Sequence, residues 1–282
     1  MICVKAVGGR GGHSGIMNTM AGAMTRRVGW RDVAMPKEHG SWSLALEPVA
    51  LGLLVAPSVA GAWGAAIAVA GFFARRPLKI VWRERTGARV AAAWRVLAGC
   101  GVVGLGALWA AVGSGGGAWA MWLVPFAALG AVFLSFDLKN GGREEAAEIV
   151  GAAAFSMVAA AIAAAGGMSG AGALAVLVAM AGRAVPAVMF VRACVRGGKT
   201  GEYRAVPPLV AGVVAVLAAG GLAMTGELSE AVPLMFAVFV ARAAVRLLRP
   251  SPIRARTLGF QELAIGLGYL AIVAATWPRG IA

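Results

Sequence analysis

The string Met35-Pro36-Lys37-Glu38-His39-Gly40-Ser41-Trp42 sets an ammonium, a carboxylate and an imidazole at three consecutive positions. Imidazole changes charge near neutral pH, and an adjacent carboxylate is an ordinary partner for moving a proton. Pro36 restrains the residue before it, and Gly40 tolerates turns that other residues resist. Glu38 and His39 are therefore candidate acid–base groups. The plainer account of the same string is an anchor at the headgroup boundary, with Trp42 in the interface and a helix starting beside it.

Five further ionisable groups stand inside otherwise apolar stretches: Glu47, Arg95, Arg183, Arg242 and Glu262. A charge at the bilayer centre costs about 2.5–3.5 kcal/mol on insertion scales, so such groups mark function or pairing. Arg95 and Arg242 have stems long enough to snorkel to the headgroups. Glu47 and Glu262 do not; each is expected to pair with a basic side chain or to stay protonated. Arg183, three residues before Pro186, is the candidate partner. Glu47 and Glu262 thus join Glu38 and His39 as candidate catalytic groups, and Arg183 is a candidate substrate-binding residue.

Glu144 and Glu148 lie one helical turn apart and would share a face, as two Mg²⁺ ligands would. An ordinary loop followed by an acidic first turn that complements the helix dipole is the plainer account. The run Arg75-Arg76-Pro77-Leu78-Lys79-Ile80-Val81-Trp82-Arg83-Glu84-Arg85 interleaves basic and apolar residues. It suits an amphipathic helix lying on anionic lipid. Guanidinium groups also grip phosphate by paired hydrogen bonds, which makes Arg75, Arg76, Lys79, Arg83 and Arg192 candidate substrate-binding residues alongside Arg183.

The elements that must position these groups are membrane helices. Of 282 residues, 60% are apolar and 13% charged, whereas a soluble domain carries about 25% charged residues. Apolar stretches occupy 42–56, 60–74, 91–112, 118–136, 147–166, 170–191, 206–225, 231–248 and 259–277. Most approach the ~20 residues that cross a hydrocarbon core of ~30 Å. Lys and Arg gather in alternate links, at 75–90, 137–146, after 191 and after 248, while the links near 57–60, 113–117, 166–170 and 225–230 contain neither. By the positive-inside rule, this alternation predicts an all-α polytopic transmembrane bundle of about nine helices, N-terminus in and C-terminus out.

The net charge of +14 would suggest nucleic acid in a soluble chain. Here it sits in the links, where the bilayer and its anionic phospholipids account for it, so no nucleic-acid partner is expected. Cys3, Cys100 and Cys194 show no metal or disulfide spacing. Residues 1–34, rich in Gly, Met and Arg, read as a disordered tail or an extension ahead of the true start, and 35–282 as the transmembrane domain.

PKEHGSW at the start, ARRPLKI closing the first hairpin, FDLKNGGREEAAEIVG in the centre, MFVRACVR after the sixth span and RTLGFQELAIGLGYL near the end together resemble the YwiC-like family of bacterial membrane proteins, in the same order over about 35–275. The resemblance implies a multi-pass protein of the bacterial inner (cytoplasmic) membrane, without an assigned reaction. A more distant scaffold likeness is to UbiA-type prenyltransferases, whose nine helices hold Mg²⁺-diphosphate on aspartate-rich motifs. The corresponding stretches here, RRPLKIVWRER and VRACVRGGK, contain Glu84 as their sole acid.

Three functions follow as expectations. The first is a YwiC-like protein with a polar cytoplasmic-side cavity lined by Glu38, His39, Glu47, Glu262 and basic partners, acting on a lipid or small molecule or serving assembly. The second is a UbiA-like transferase for an isoprenoid or phospholipid, using Mg²⁺ on Glu144 and Glu148. The third is a proton-coupled transporter of a small solute built on Glu47, Glu262 and Arg183. No cofactor is called for except Mg²⁺ in the transferase case.

Overall fold

In hydrocarbon a backbone amide has no water to bond, so long apolar runs satisfy their N–H and C=O groups internally as helices. The computed structural model of the protein describes residues 29–35, 40–115, 117, 119–139, 144–250 and 253–278. Among these, ten helices and no strands occur: α1 (Trp30–Ala34), α2 (Gly40–Val55), α3 (Val59–Arg83), α4 (Ala88–Gly115), α5 (Ala120–Leu138), α6 (Glu145–Ala165), α7 (Gly170–Thr200), α8 (Val206–Met224), α9 (Ala231–Leu248) and α10 (Ala255–Thr276). Seven of them, α4 to α10, are long and apolar enough to cross a membrane, and α2 carries a shorter apolar run, Leu44–Val55.

The nine apolar stretches each become one of the helices α2 to α10; α1 adds a short tenth. Ser58 ends the turn after α2 by accepting a hydrogen bond at Oγ from the Gly61 N–H, 2.9 Å, and so caps α3. The basic run 75–85 does not lie as a separate helix on the surface. α3 continues through Pro77 to Arg83, because Pro77 is buried and the basic side chains beyond it find partners on α5. α1 packs Val33 and Ala34 out of solvent, Val33 against Ile80, Val90 and Ala93 at the junction of α3 and α4.

α6 is the hub, touching α2, α3, α5 and α7. Lipid supplies no hydrophobic force between helices, so van der Waals contact through close-packed small residues must hold them together. Ala152, Ala159, Ala160 and Ala163 of α6 are fully buried. α2 approaches so closely that a Cβ added to Gly52 would stand 2.8 Å from the Ile162 Cβ and 2.9 Å from the Ala159 carbonyl oxygen. α2, α3, α5 and α7 therefore pack directly on α6. α10 returns to α2 and, with α7, α8 and α9, builds the second half of the bundle.

Contacts between helix ends sort the charge. At one end, Arg76 donates to the Met35 carbonyl, Arg83 to the Leu138 carbonyl at 3.3 Å, and Arg192 pairs with Glu148 at 2.6 Å. At the other end the turns free of Lys and Arg meet. Ala60, Ala111, Trp119, Ala165 and Ala173 form one cluster there, and Ala56, Leu228 and Trp277 join another. The bundle thus has a basic end and, among the described residues, an end without Lys or Arg that carries Glu227 and Glu230.

Candidate functional site

Four of the intramembrane ionisable groups converge. Glu262 of α10 places Oε1 2.7 Å from Arg242 Nη1 of α9 and Oε2 3.4 Å from Arg183 Nη2 of α7. Arg183 Nη2 also donates to the main-chain oxygen of Glu262, 3.0 Å. Glu47 of α2 lies against the same stripe of α10: a Cβ built on Gly266 would fall 2.4 Å from Glu47 Oε1. Glycine at 266 leaves room for that carboxyl where it stands. Glu47 and Arg183 are buried, at 7% and 5% exposure.

Depth follows from helix position. Glu47, Arg242 and Glu262 each stand six or seven residues in from the helix end on the basic side, which at 1.5 Å per residue is about 10 Å. Snorkelling does not describe Arg242, whose guanidinium turns inward to Glu262. Arg95 does point outward, donating to its own helix at Ala91 O, 3.3 Å.

Aromatic rings complete the site. Arg183 lies over Phe239 at 5.6 Å and Arg242 over Phe190 at 4.9 Å from the ring centroids, an attraction that strengthens where water is absent. Tyr269, fully buried, donates from its hydroxyl to the Ala179 carbonyl at 2.7 Å and stacks on Phe236 at 5.9 Å. Glu262, Gly266 and Tyr269 follow an i, i+4, i+7 spacing and so share one face of α10. Beside the ion pair, Arg183, Arg242, Glu262 and Phe239 border a cavity of about 30 Å³, room for a single water.

The remaining predicted residues fall elsewhere. Arg75 Nε donates to Asp137 Oδ2 at 3.0 Å and Lys79 Nζ to Asp137 Oδ1 at 2.8 Å, with Asp137 itself 3% exposed. Arg75 also covers the Phe133 ring at 4.5 Å. With Arg76 on Met35 and Arg83 on Leu138, these four basic residues tie α3 to α1 and α5. They are not gathered at the Glu262 site. Glu148 is engaged by Arg192, and Glu144 stands exposed at the N-terminal boundary of α6 without a side-chain capping hydrogen bond. No group of three or more His, Cys, Asp or Glu side chains able to hold a metal occurs among the described residues. Glu38 and His39 lie outside the described residues.

Sequence reasoning passed over Asp137 and Tyr269 as site residues. A signal existed for each: the chain has only two aspartates and two tyrosines, Asp137 ends an apolar span opposite a basic run, and Tyr269 falls seven residues after Glu262.

Buried charges shared by four apolar helices, with seven helices suited to cross a bilayer, define a multi-pass membrane protein. Residues 35–164 match the family model of the YwiC-like proteins. That stretch begins at Met35 and covers α2 to all but the last residue of α6. Arg183, Arg242 and Glu262 lie beyond it, as does the RTLGFQELAIGLGYL segment that also entered the resemblance. No curated protein and no solved structure matches the chain.

Proposed function

We propose that this YwiC-like protein crosses the bacterial inner membrane nine times, through α2 to α10, with its N-terminus and basic end in the cytoplasm. There it couples a proton to the movement of a small anionic solute. The observation that carries this reading is the meeting of Glu47, Arg183, Arg242 and Glu262 about 10 Å below the basic end. Two guanidinium groups balance two carboxylates. A proton added to either carboxylate leaves one positive charge in hydrocarbon, which an anion from the cytoplasmic side neutralises. A single-water cavity admits no solute in this arrangement, so the transport cycle requires α9 and α10 to move apart from α7.

Glu38 and His39, which precede the first span in sequence, are the proposed proton relay, and anionic phospholipids would surround the basic links. The transferase alternative needs Mg²⁺ on Glu144 and Glu148, and the salt bridge from Arg192 competes for the second of these. Transport is preferred for that reason.

The test is proton uptake reported by a trapped pH dye in proteoliposomes clamped at zero potential with K⁺ and valinomycin. Succinate, citrate, glutamate and aspartate serve as probes. At least one should drive uptake that falls tenfold or more in Glu262→Gln. Absence of uptake with every probe, or equal uptake in the variant, overturns the proposal.

A further inference from the structure

A second cavity, separate from the intramembrane ion cluster, opens at the basic end between α6, α7 and α8. Its volume is about 580 Å³, within the range of small-molecule sites. The origin of the cavity is the length of α7. At 31 residues that helix runs about 46 Å, well beyond the ~30 Å hydrocarbon core, so its last turns rise past the ends of its neighbours. Gly201 then stops the helix in the left-handed region at φ +79°. Tyr203 folds back onto α7: a Cβ added at Gly197 would meet its ring at 2.4 Å. The returning chain enters α8 at Val206, with Pro207 and Pro208 in its first turn.

The lining divides by chemistry. Met189, Val195, Pro207 and Pro208 supply an apolar floor. Arg196, Lys199 and Arg204 stand exposed around the opening, and Arg192 forms the inner wall while engaged with Glu148. Arg192, Arg196 and Lys199 succeed one another at helical spacings of four and three, so they share one face of α7, and Thr200 follows Lys199 directly. Glu145 and Glu202 also border the space. With Glu148 already taken by Arg192, three cations face two carboxylates.

We infer that this cavity binds a phosphate group, with Arg196, Lys199 and Arg204 on its oxygens and the apolar floor under any chain attached to it. Guanidinium and ammonium groups at headgroup depth form charge-assisted bonds to phosphate oxygens. Glu145 and Glu202 suit hydroxyl donors beside the phosphate, as on a phosphoglycerol headgroup. Two sources share this chemistry: an anionic phospholipid and free phosphate. The inference does not rest on the transport proposal, because none of these residues belongs to the Glu262 cluster.

The experiment is calorimetric titration of the full chain in maltoside detergent with dihexanoylphosphatidylglycerol and, separately, with inorganic phosphate. The Arg196→Gln/Lys199→Gln variant should weaken binding at least tenfold. Arg249→Gln/Arg256→Gln, the same loss of charge outside the cavity, should leave it unchanged. Displacement of the lipid by millimolar phosphate assigns the site to the free anion; retention of the lipid assigns it to the headgroup. Either result supports a phosphate site. No binding of either probe, binding indifferent to the cavity substitutions, or an equal loss in both variants overturns it. Because Arg196 and Lys199 are exposed, an unchanged melting temperature in the cavity variant separates lost binding from lost folding.

Discussion

Replacing Glu262 by Gln keeps the shape of the side chain and removes its charge. In the native protein that charge serves two guanidinium groups, at 2.7 Å and 3.4 Å. Their surroundings differ: Arg183 is 5% exposed and Arg242 31% exposed at the side chain. Arg242 can swing toward the basic end, so the loss of its pair falls on the scale of exposed ion pairs, about 1 kcal/mol or less. Arg183 cannot. It retains the Glu262 main-chain oxygen and the Phe239 face, yet it loses its paired carboxylate in the interior, with Glu47 the remaining acid of the cluster; breaking a buried pair costs about 3–5 kcal/mol. Glu262→Gln should therefore cost about 3 kcal/mol, and Arg242→Gln about 1 kcal/mol or less. For a chain of this size about 2–4 °C accompanies each kcal/mol, so the melting temperature should fall by about 6–12 °C for Glu262→Gln. The double variant Arg183→Met/Glu262→Gln should recover most of the loss, since an apolar replacement of a buried pair is often neutral. Unfolding by titrated SDS in mixed micelles, followed by circular dichroism, measures all three. The reasoning fails if Glu262→Gln lies within about 0.5 kcal/mol of the native protein, the ordinary range for neutral surface changes. It also fails if the double variant is no more stable than the single one.

Gly266→Ala drives a methyl onto the buried Glu47 carboxyl and should destabilise by about 1–3 kcal/mol, the usual cost of overpacking; the same SDS titration reads it, and native stability would show that Glu47 moves freely. Asp137→Asn removes the carboxylate shared by Arg75 and Lys79. Both cations are about 30% exposed and can turn to water, so the expected loss is only about 1–2 kcal/mol; a loss as large as that of Glu262→Gln would contradict the contrast in burial. Topology is checked by single cysteines in a background lacking the native ones. Thr86→Cys and Glu202→Cys should react with an impermeant maleimide only from the cytoplasmic face, and Ser114→Cys and Thr225→Cys only from the outer face. Labelling of Thr86→Cys and Glu202→Cys from opposite faces would break the nine-span proposal.

Hydropathy and charge placement carried the helical architecture far, since each of α2 to α10 contains one apolar stretch visible in the chain. The limits of those helices were less visible. α3 and α7 each run nine residues past the ends of their apolar stretches, because basic side chains at the headgroup level find partners there and do not terminate a helix. The pairing of Glu262 with Arg183 was legible too, for an acid too short to snorkel demands a nearby cation.

Sequence alone thus determined which residues must avoid lipid: Glu47, Arg183 and Glu262 are expensive wherever the bilayer surrounds them, and that cost is a property of residue type and position along a span. Tertiary structure decided which partner each one met. Arg242 turned inward because α9 and α10 pack with their basic ends together. Arg75 and Lys79 turned to Asp137 because α3 outruns its apolar stretch alongside the end of α5. The cavity between α6, α7 and α8 exists only because an overlong helix stands beside shorter ones. These are contacts between residues far apart in the chain, and their geometry depends on how the helices pack against one another, which no local pattern encodes.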